Sequence, residues 1–187
     1  KTLAVKNNDV EQRMRSRSGG VFPLLANKVI IDGGTVYGAV INETTFEVHH
    51  LRVDNLNDLP QLSESKYAES KLGDTFKHVI KDLKDGREVL FSGTPCQNAG
   101  LHHLLKVLKV NDERLVKVDL ICHGYFSPVI FKDYVAWERS RQGEIKSFKF
   151  RDKAFGWDSH IESFITSKGK VSGHDLADVF YTNAWLR

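Results

Sequence analysis

The 187-residue sequence contains very little cysteine, with Cys96 and Cys122 as its only two thiols. Two thiols exclude a disulfide framework, and they exclude an iron–sulfur or zinc site with four cysteine ligands from this chain. The sequence also lacks any apolar run close to the ~20 residues that a membrane-spanning helix needs, and no signal-peptide pattern opens it. These absences predict a cytoplasmic protein without a membrane span.

An excess of charge of one sign is also missing. The 27 Lys and Arg residues nearly balance the 24 Asp and Glu residues, which leaves a net charge of +3. So small an excess, scattered along the chain, argues against a nucleic-acid partner. The hydrophobic content of 41% is ordinary for a globular protein. Because the chain begins with Lys1 rather than Met, we expect it to be cut from a longer polypeptide.

Residues 1–84 are predicted to form an N-terminal segment. The motif RSRSGG, which ends at Gly20, is typical of a loop, and the pattern after it predicts a helix over Val21–Ile31. The remaining predictions for this segment are a β-rich run over Gly33–Asn42, a hairpin partner over Phe46–Val53, a short turn near Asp58 and an amphipathic helix that Gly86 ends.

Residues 85–187 contain two successive strand–loop–helix units, which predict parallel strands with right-handed crossovers. Ser127 is typical of an N-cap and Pro128 of the first helical position. The predicted fold is α/β, with a mixed sheet of parallel strand–loop–helix units and flanking antiparallel hairpins, and we expect both segments to pack as one globular unit. The two units consist of strand Glu88–Phe91 with helix Cys96–Leu108, and strand Leu115–Ile121 with helix Val129–Arg141.

Cys96 lies in the first turn of a predicted helix, just past a strand. Loops at the carboxyl ends of parallel strands face the crevice where ligands bind. A helix N-terminus there offers backbone N–H groups to an anion and favours a thiolate. Thr94 and Pro95 fit the N-cap and first helical positions whether or not the site has a function. The pattern is equally compatible with a small buried residue that fills the strand–helix junction.

Cys122 has the equivalent position in the second strand–loop–helix unit. If the two strands are neighbours, both sulfurs lie at one edge of the sheet, which fits a redox pair, a thiol lining a cofactor, or two ligands of a metal completed elsewhere. His123 could donate a proton or a hydrogen bond to a cofactor, although such a histidine is more often structural. Gly124 fits a turn that needs positive φ or a close ligand approach.

Three further stretches carry weaker signals. The loop that contains Ser16–Gly20 has the glycines and hydroxyls of a phosphate-binding loop, but short loops of this kind are common. Lys66 and Tyr67 are predicted near a helix start, where a surface helix is the simpler interpretation. Arg151 and Lys153, in the segment FKFRDKAFGWDSH, suit a nucleotide or a flavin, yet charged hairpins are ordinary.

Taken together and in this order, these segments resemble the beta-subunit family of coenzyme F420-reducing hydrogenases and related dehydrogenases. The resemblance extends from about Arg13 onward, and the pair FSGTPCQ and DLICHG is its most specific part. A family boundary between N- and C-terminal segments would fall near Lys84. The motifs that carry the resemblance are SRSGGVF, GGTVYGA, SKYAES, LGDTF, FSGTPCQNAGL, DLICHGYFSP and FRDKAFGW.

The resemblance implies a flavin-dependent oxidoreductase or electron-transfer subunit that passes electrons between FAD, an iron–sulfur cluster and a partner. The partner would be a redox protein, a deazaflavin or a small reducible molecule. The family's cysteine-rich segment would follow the end of this chain, so a [4Fe–4S] cluster is expected only in the full-length protein. Cys96, Cys122 and His123 are the candidate catalytic residues. The residues expected to surround FAD are Ser16, Ser18, Gly19, Gly20, Lys66, Tyr67, Ser92, Gly93, Thr94, Pro95, Gln97, Gly124, Arg151 and Lys153.

Two other functions are compatible with the residues. The first is a thiolate enzyme that uses Cys96 at a helix N-terminus on phosphate or sulfur groups. The sequence Gln97-Asn98-Ala99-Gly100 after the cysteine argues against a phosphatase loop, which would place an arginine there. The second is a degenerate family member that serves as a non-catalytic interaction module.

Overall fold

The computed structural model describes residues 2–156, 161–172 and 185–186. The chain divides into two compact units, each built from discontinuous stretches. Unit 1 comprises Lys1–Val40, His50–Ser63 and Lys71–Cys122, and unit 2 comprises Ile41–His49, Glu64–Ser70 and His123–Arg187. The boundary expected near Lys84 stays a prediction. No helix among the described residues is long and apolar enough to cross a membrane.

The described elements alternate between helices and short strands. The helices are α1 Val10–Arg15, α2 Val21–Ile31, α3 Thr75–Lys84, α4 Pro95–Val107 and α5 Pro128–Gln142. The strands are β1 Thr35–Ile41, β2 Val48–Val53, β3 Val89–Gly93, β4 Leu115–Asp119, β5 Tyr125–Phe126, β6 Ile145–Lys149, β7 Ser163–Thr166, β8 Gly169–Ser172 and β9 Trp185–Leu186. Two 3₁₀ turns cover Leu59–Leu62 and Lys153–Phe155.

A four-stranded sheet of order β2-β1-β3-β4 organises unit 1. The β1–β3 and β3–β4 pairs are parallel, as the strand–loop–helix pattern predicts. Because side chains alternate along a strand, the two faces of the sheet carry separate apolar clusters. Val36 and Leu90 pack with residues of α2 on one face, and Tyr37 and Phe91 pack with residues of α3 and α4 on the other. Helices therefore cover both faces of this sheet.

Unit 2 has a phenylalanine-rich core between α5 and an antiparallel sheet of order β6-β7-β8. The Phe148 ring stacks on Phe164 and meets Phe131 edge-on, with centroid distances of 6.1 and 5.3 Å. A second antiparallel pair joins β5 to β9. These sheets confirm the predicted mixture of parallel units and antiparallel hairpins.

The predicted helices over Val21–Ile31 and after Ser127 are confirmed, and the Ser127 hydroxyl caps α5 by accepting from the Val129 N–H at 3.3 Å. Three details differ from the predictions. Helix α1 was not predicted, Ser92 and Gly93 belong to β3 rather than to a loop, and β4 ends at Asp119 instead of Ile121. Residues 157–160 of the predicted basic, aromatic segment lie outside the described residues.

Candidate functional site

Helix α4 begins with a capping box at the carboxyl end of β3. Thr94 is the N-cap, Pro95 occupies the first helical position, and the Gln97 side chain accepts a hydrogen bond from the Thr94 N–H at 3.0 Å. The Thr94 side chain accepts in return from the Gln97 N–H. Proline has no N–H, so the amide of Cys96 is the one donor of this first turn that the capping box does not use.

The strand–helix junction around Gly93 is tightly packed. A Cβ on Gly93 would lie 2.8 Å from Phe91 Cε1 and 2.9 Å from Gln97 Oε1, so only glycine fits without a shift. The buried Asn98 amide donates to Gly93 O at 3.3 Å and to Val118 O at 3.1 Å, which links β3 to β4. The His50 ring meets Ser92 O at 3.1 Å and stacks on Phe91. Ser92 and Gly93 are thus fixed mainly by packing within unit 1.

The two cysteines occupy matching positions at the same edge of the unit 1 sheet. Gly93 of β3 is paired with Asp119 of β4. Cys96 follows Gly93 by three residues, and Cys122 follows Asp119 by three residues. Both thiols are exposed, so neither fills the buried junction considered from the sequence. The Cys96 sulfur lies 3.0 Å from the Thr94 hydroxyl oxygen, in hydrogen-bond contact. The arrangement presents two accessible thiols at the carboxyl ends of neighbouring parallel strands.

The loop that contains Ser16–Gly20 is tied to the beginning of the chain. Asn7 N–H donates to Gly19 O at 2.7 Å, and a Cβ on Gly19 would lie 2.4 Å from Val5 O. Gly20 has a positive φ of 68° and leads into α2. The Ser16 hydroxyl is buried and donates to Gln12 O at 2.7 Å, whereas Ser18 is exposed. Both glycines are therefore required by the local chain path.

In unit 2, the structure brings Tyr67 and Arg151 together. The Arg151 guanidinium donates to the Tyr67 hydroxyl at 3.3 Å, and the Tyr67 ring meets Phe150 edge-on at a centroid distance of 6.0 Å. The Tyr67 backbone is held as well, because its carbonyl accepts from the Phe126 N–H at 2.8 Å. The segment lies outside any helix, which differs from the predicted helix start; Ala68 forms a parallel bridge with Phe126 instead.

Lys66 lies next to Tyr67 in the chain and is half-buried. Its removal from water lowers the pKa of the ammonium group to about 8, and the nearby Glu64 carboxylate offsets part of this effect. Lys66 therefore stays mostly protonated at pH 7. Lys153, two residues after Arg151, is half-buried at the start of a 3₁₀ turn.

His123 and Gly124 lie between β4 and β5, at the start of the third stretch of unit 2. Gly124 has a φ of 127°, which L side chains rarely adopt, so the expected positive φ is confirmed. His123 is exposed. Among the described residues, no group of three or more His, Cys, Asp or Glu side chains could hold a metal ion.

Sequence reasoning missed three buried acidic residues, one in unit 1 and two in unit 2. Asp82 of unit 1 accepts hydrogen bonds from Thr35, Tyr37 and Arg52. Glu138 and Glu162 of unit 2 are 1% and 0% exposed, and Glu162 accepts from the Tyr134 hydroxyl at 2.6 Å. A charged residue in an amphipathic helix, such as Asp82 in α3 or Glu138 in α5, gives no signal of burial, and Glu162 lies outside any helix, directly before β7, so none of the three could be found from the pattern.

The comparison with known families decides the assignment. Residues 86–179 match the family model for the C-terminal part of the coenzyme F420 hydrogenase/dehydrogenase beta subunit. The chain belongs to this family. The matched region includes both cysteines, Arg151 and Lys153. Among curated proteins, no sequence matches the chain.

A solved structure supports the fold of this family member. The chain aligns with a chain of the F420-reducing [NiFe] hydrogenase complex from Methanosarcina barkeri, in a xenon-derivatised form, at a TM-score of 0.60 and 15% sequence identity. The alignment covers 89% of this chain and 57% of the hydrogenase chain. The family member therefore spans little more than half the length of that chain, and the likeness shows the fold alone.

Proposed function

We propose that this protein is a flavin-dependent oxidoreductase or electron-transfer subunit that binds FAD and passes electrons to a partner. The partner is a redox protein, or a deazaflavin or another small reducible molecule. The observation that carries the proposal is the contact between Arg151 and Tyr67 in a member of the F420 hydrogenase beta-subunit family. It joins a fixed cation to an aromatic ring at positions that the family resemblance assigns to the cofactor.

The residues of unit 2 fit a flavin nucleotide chemically. A guanidinium offers a planar fork of N–H donors that suits phosphate oxygens or the carbonyl edge of an isoalloxazine ring. Lys66 adds a second positive charge at pH 7, and a positive charge beside the N1/C2 edge stabilises a reduced, anionic flavin. Tyr67 adds an aromatic ring whose hydroxyl contacts the Arg151 guanidinium. This set binds an anionic aromatic cofactor better than it binds a neutral one.

Unit 1 offers fewer groups to the cofactor than unit 2 does. The capping box uses the Thr94 and Gln97 amides, so α4 offers an anion the amide of Cys96 and the field of a 13-residue helix. Gly19 and Gly20 are accounted for by the chain path. We propose that the cofactor-lining role which the family resemblance gives to Ser92–Gln97 belongs to the Cys96 thiol and the Thr94 hydroxyl, both at the carboxyl end of β3. The proposed role of Ser16–Gly20 is to hold helix α2, which begins directly after Gly20, in place against the unit 1 sheet.

Bound FAD would supply the electron-transfer chemistry, and the side chains would tune and shield it. Arg151 and Lys66 would hold the negative charge that accompanies reduction. His123 is exposed, and an imidazole is a common proton donor, so His123 is the proposed proton donor. Cys96 and Cys122 are proposed to line the ring or to exchange electrons as thiols.

The iron–sulfur cluster does not fit this chain. A [4Fe–4S] cluster needs four thiolate ligands, and the sequence has two cysteines. We propose that a longer protein carries the cluster, since the chain covers only 57% of the hydrogenase chain it resembles. No electron-transfer step of this chain is assigned to a cluster.

A titration of the purified chain with FAD, followed by flavin fluorescence, tests the proposal. Replacing Arg151 with Met removes a charge-assisted hydrogen bond, so the FAD dissociation constant should rise by about tenfold or more. Lys168→Met removes an exposed charge from the same unit and should leave the constant unchanged. Equal constants for R151M and the parent chain would refute the assigned role of Arg151, and absence of FAD binding would refute the proposed function.

A further inference from the structure

Strand β4 forms the outer edge of the unit 1 sheet. Within the described part of the chain, β3 is its only neighbour, because the strand order ends β3-β4. Three apolar side chains at or just beyond this strand are exposed: Val116 by 36%, Leu120 by 49% and Ile121 by 92%. An edge strand with exposed apolar residues is a template for pairing with another strand.

The hydrogen bonds to β3 show which backbone groups of β4 point outward. Val89 N–H donates to Arg114 O at 2.9 Å, and Leu120 N–H donates to Gly93 O at 3.0 Å, so the even-numbered residues bond to β3. Successive residues of a strand direct their N–H and C=O groups to opposite sides. Lys117 and Asp119 therefore direct theirs away from the sheet.

We propose that two copies of this chain pair through β4 in an antiparallel register centred on Val118. This register places Lys117 of each copy opposite Asp119 of the other. The outward N–H and C=O groups of these residues then form a hydrogen-bonded pair, while Val118 faces its own copy in a non-hydrogen-bonded pair. The outward N–H and C=O groups and the charges of Lys117 and Asp119 favour the same register. In this register the unit 1 sheets of the two copies form one continuous sheet.

Neighbouring registers are disfavoured by charge. A shift of two residues keeps the outward backbone groups paired, but it places either Lys117 opposite Lys117 or Asp119 opposite Asp119. Like charges directly opposite each other destabilise a strand pair, whereas opposite charges stabilise it. Charged residues often protect an edge strand from pairing, but the order Lys-Val-Asp is complementary to itself in the antiparallel direction.

The apolar residues follow the same symmetry. In the register centred on Val118, Val116 of one copy lies opposite Leu120 of the other, on the same face of the sheet. Aliphatic cross-strand pairs of this kind stabilise a sheet through burial. The exposed Ile121 extends the contact by one residue opposite Leu115. A second copy therefore removes from water the side chains that the edge of β4 leaves exposed.

Sedimentation of the 187-residue chain over a concentration series tests the dimer by charge reversal. The parent chain should form a dimer, and Lys117→Asp or Asp119→Lys should each raise the dimer dissociation constant by about tenfold or more, because both attractive pairs become repulsive. The double variant K117D/D119K restores opposite charges and should restore the dimer. Lys106→Asp, an exposed reversal on α4, serves as the matched control.

A disulfide test reports the register independently of affinity. In a background with Cys96→Ser and Cys122→Ser, Val118→Cys should cross-link to its own copy on oxidation, because the Cα atoms of such a pair lie about 4.5 Å apart. Val116→Cys faces Leu120 instead and should not cross-link. A monomeric parent chain, or a double variant that does not regain the dimer, would overturn the proposal. Pairing of β4 with a different protein would appear as a parent monomer in this experiment.

Discussion

Asp82 on α3 collects hydrogen bonds from side chains of two neighbouring strands. Thr35 and Tyr37 of β1 donate to Asp82 Oδ2 at 3.0 and 2.6 Å, and Arg52 of β2 reaches both carboxylate oxygens at 2.8 and 3.1 Å. Burial opposes ionisation of Asp82, but these donors hold its pKa below the ordinary value. The carboxylate thus fixes α3 against the sheet of unit 1.

Replacing Asp82 with Asn should therefore destabilise the protein. The change leaves the Arg52 guanidinium without its buried partner, and loss of one member of a buried pair costs about 3 kcal/mol. Urea unfolding at pH 7 measures this loss. Asp85→Asn, at the C-cap of the same helix, removes an exposed pair with Lys81 and should change the free energy of unfolding by less than about 0.5 kcal/mol. Equal effects of the two variants would show that the buried network does not stabilise unit 1.

At the scale of single residues, the sequence predicts those roles that depend only on neighbouring residues in the chain. Thr94, Pro95, Ser127 and Gly124 follow rules of capping and backbone conformation that depend on their immediate neighbours. The Arg52–Asp82 pair joins residues 30 positions apart, so no local rule could reveal it. The same limit applies to Arg151 and Tyr67: each is a sequence candidate, but their hydrogen bond depends on the fold of unit 2.

Helix α5 and the segment before β7 bring two carboxyl groups into the core of unit 2. Glu138 and Glu162 are buried, and neither oxygen of Glu138 has a hydrogen-bond partner among the described residues. Burial raises the pKa of Glu162 to about 7, with a further contribution from Glu138, while the bond from Tyr134 acts in the opposite direction. Burial also raises the pKa of Glu138, against the opposing effect of Arg141.

The stability contribution of Glu162 should therefore fall as pH rises. The folded state keeps a proton that the unfolded state loses above pH 4.5, so the free energy of unfolding decreases until pH reaches about 7. Glu162→Gln removes this titration. Between pH 4.5 and about 7, the free energy of unfolding of E162Q should rise relative to that of the parent chain by roughly 3 kcal/mol, at about 1.4 kcal/mol per pH unit.

Urea unfolding of both proteins at a series of pH values measures this difference. Glu144→Gln, an exposed residue of the same unit, is the control and should show no such trend. A constant stability difference between E162Q and the parent chain over this pH range would contradict a raised pKa for Glu162.

Elements with strong local patterns were predictable. Helix α2 and the parallel β3–β4 pair follow from periodicity and from the repeated strand–loop–helix order. Short elements were not predictable. The two-residue strand β5, for example, depends on its pairing with β9 and Ala68 rather than on its own residues. The segment around Lys66 has the composition of a helix start, yet tertiary pairing of Ala68 with Phe126 overrides this local preference.

At the scale of the whole molecule, unit 1 contains a sheet with two parallel strand pairs and helices on both faces, and unit 2 contains a phenylalanine core and antiparallel strands. The family match places this architecture among beta subunits of F420 hydrogenases and dehydrogenases. A fold supports many functions, so the cofactor has to be argued from side chains. Those side chains are the cations and aromatic ring of unit 2 and the two exposed thiols of unit 1.

The most direct test of this account is the visible absorption spectrum of the purified chain after incubation with FAD and gel filtration. The account predicts that flavin absorbance elutes with the protein at a stoichiometric ratio, and that R151M retains less of it than K168M. A protein fraction that elutes colourless, with all the FAD in the small-molecule fraction, would contradict the claim that this chain binds a flavin.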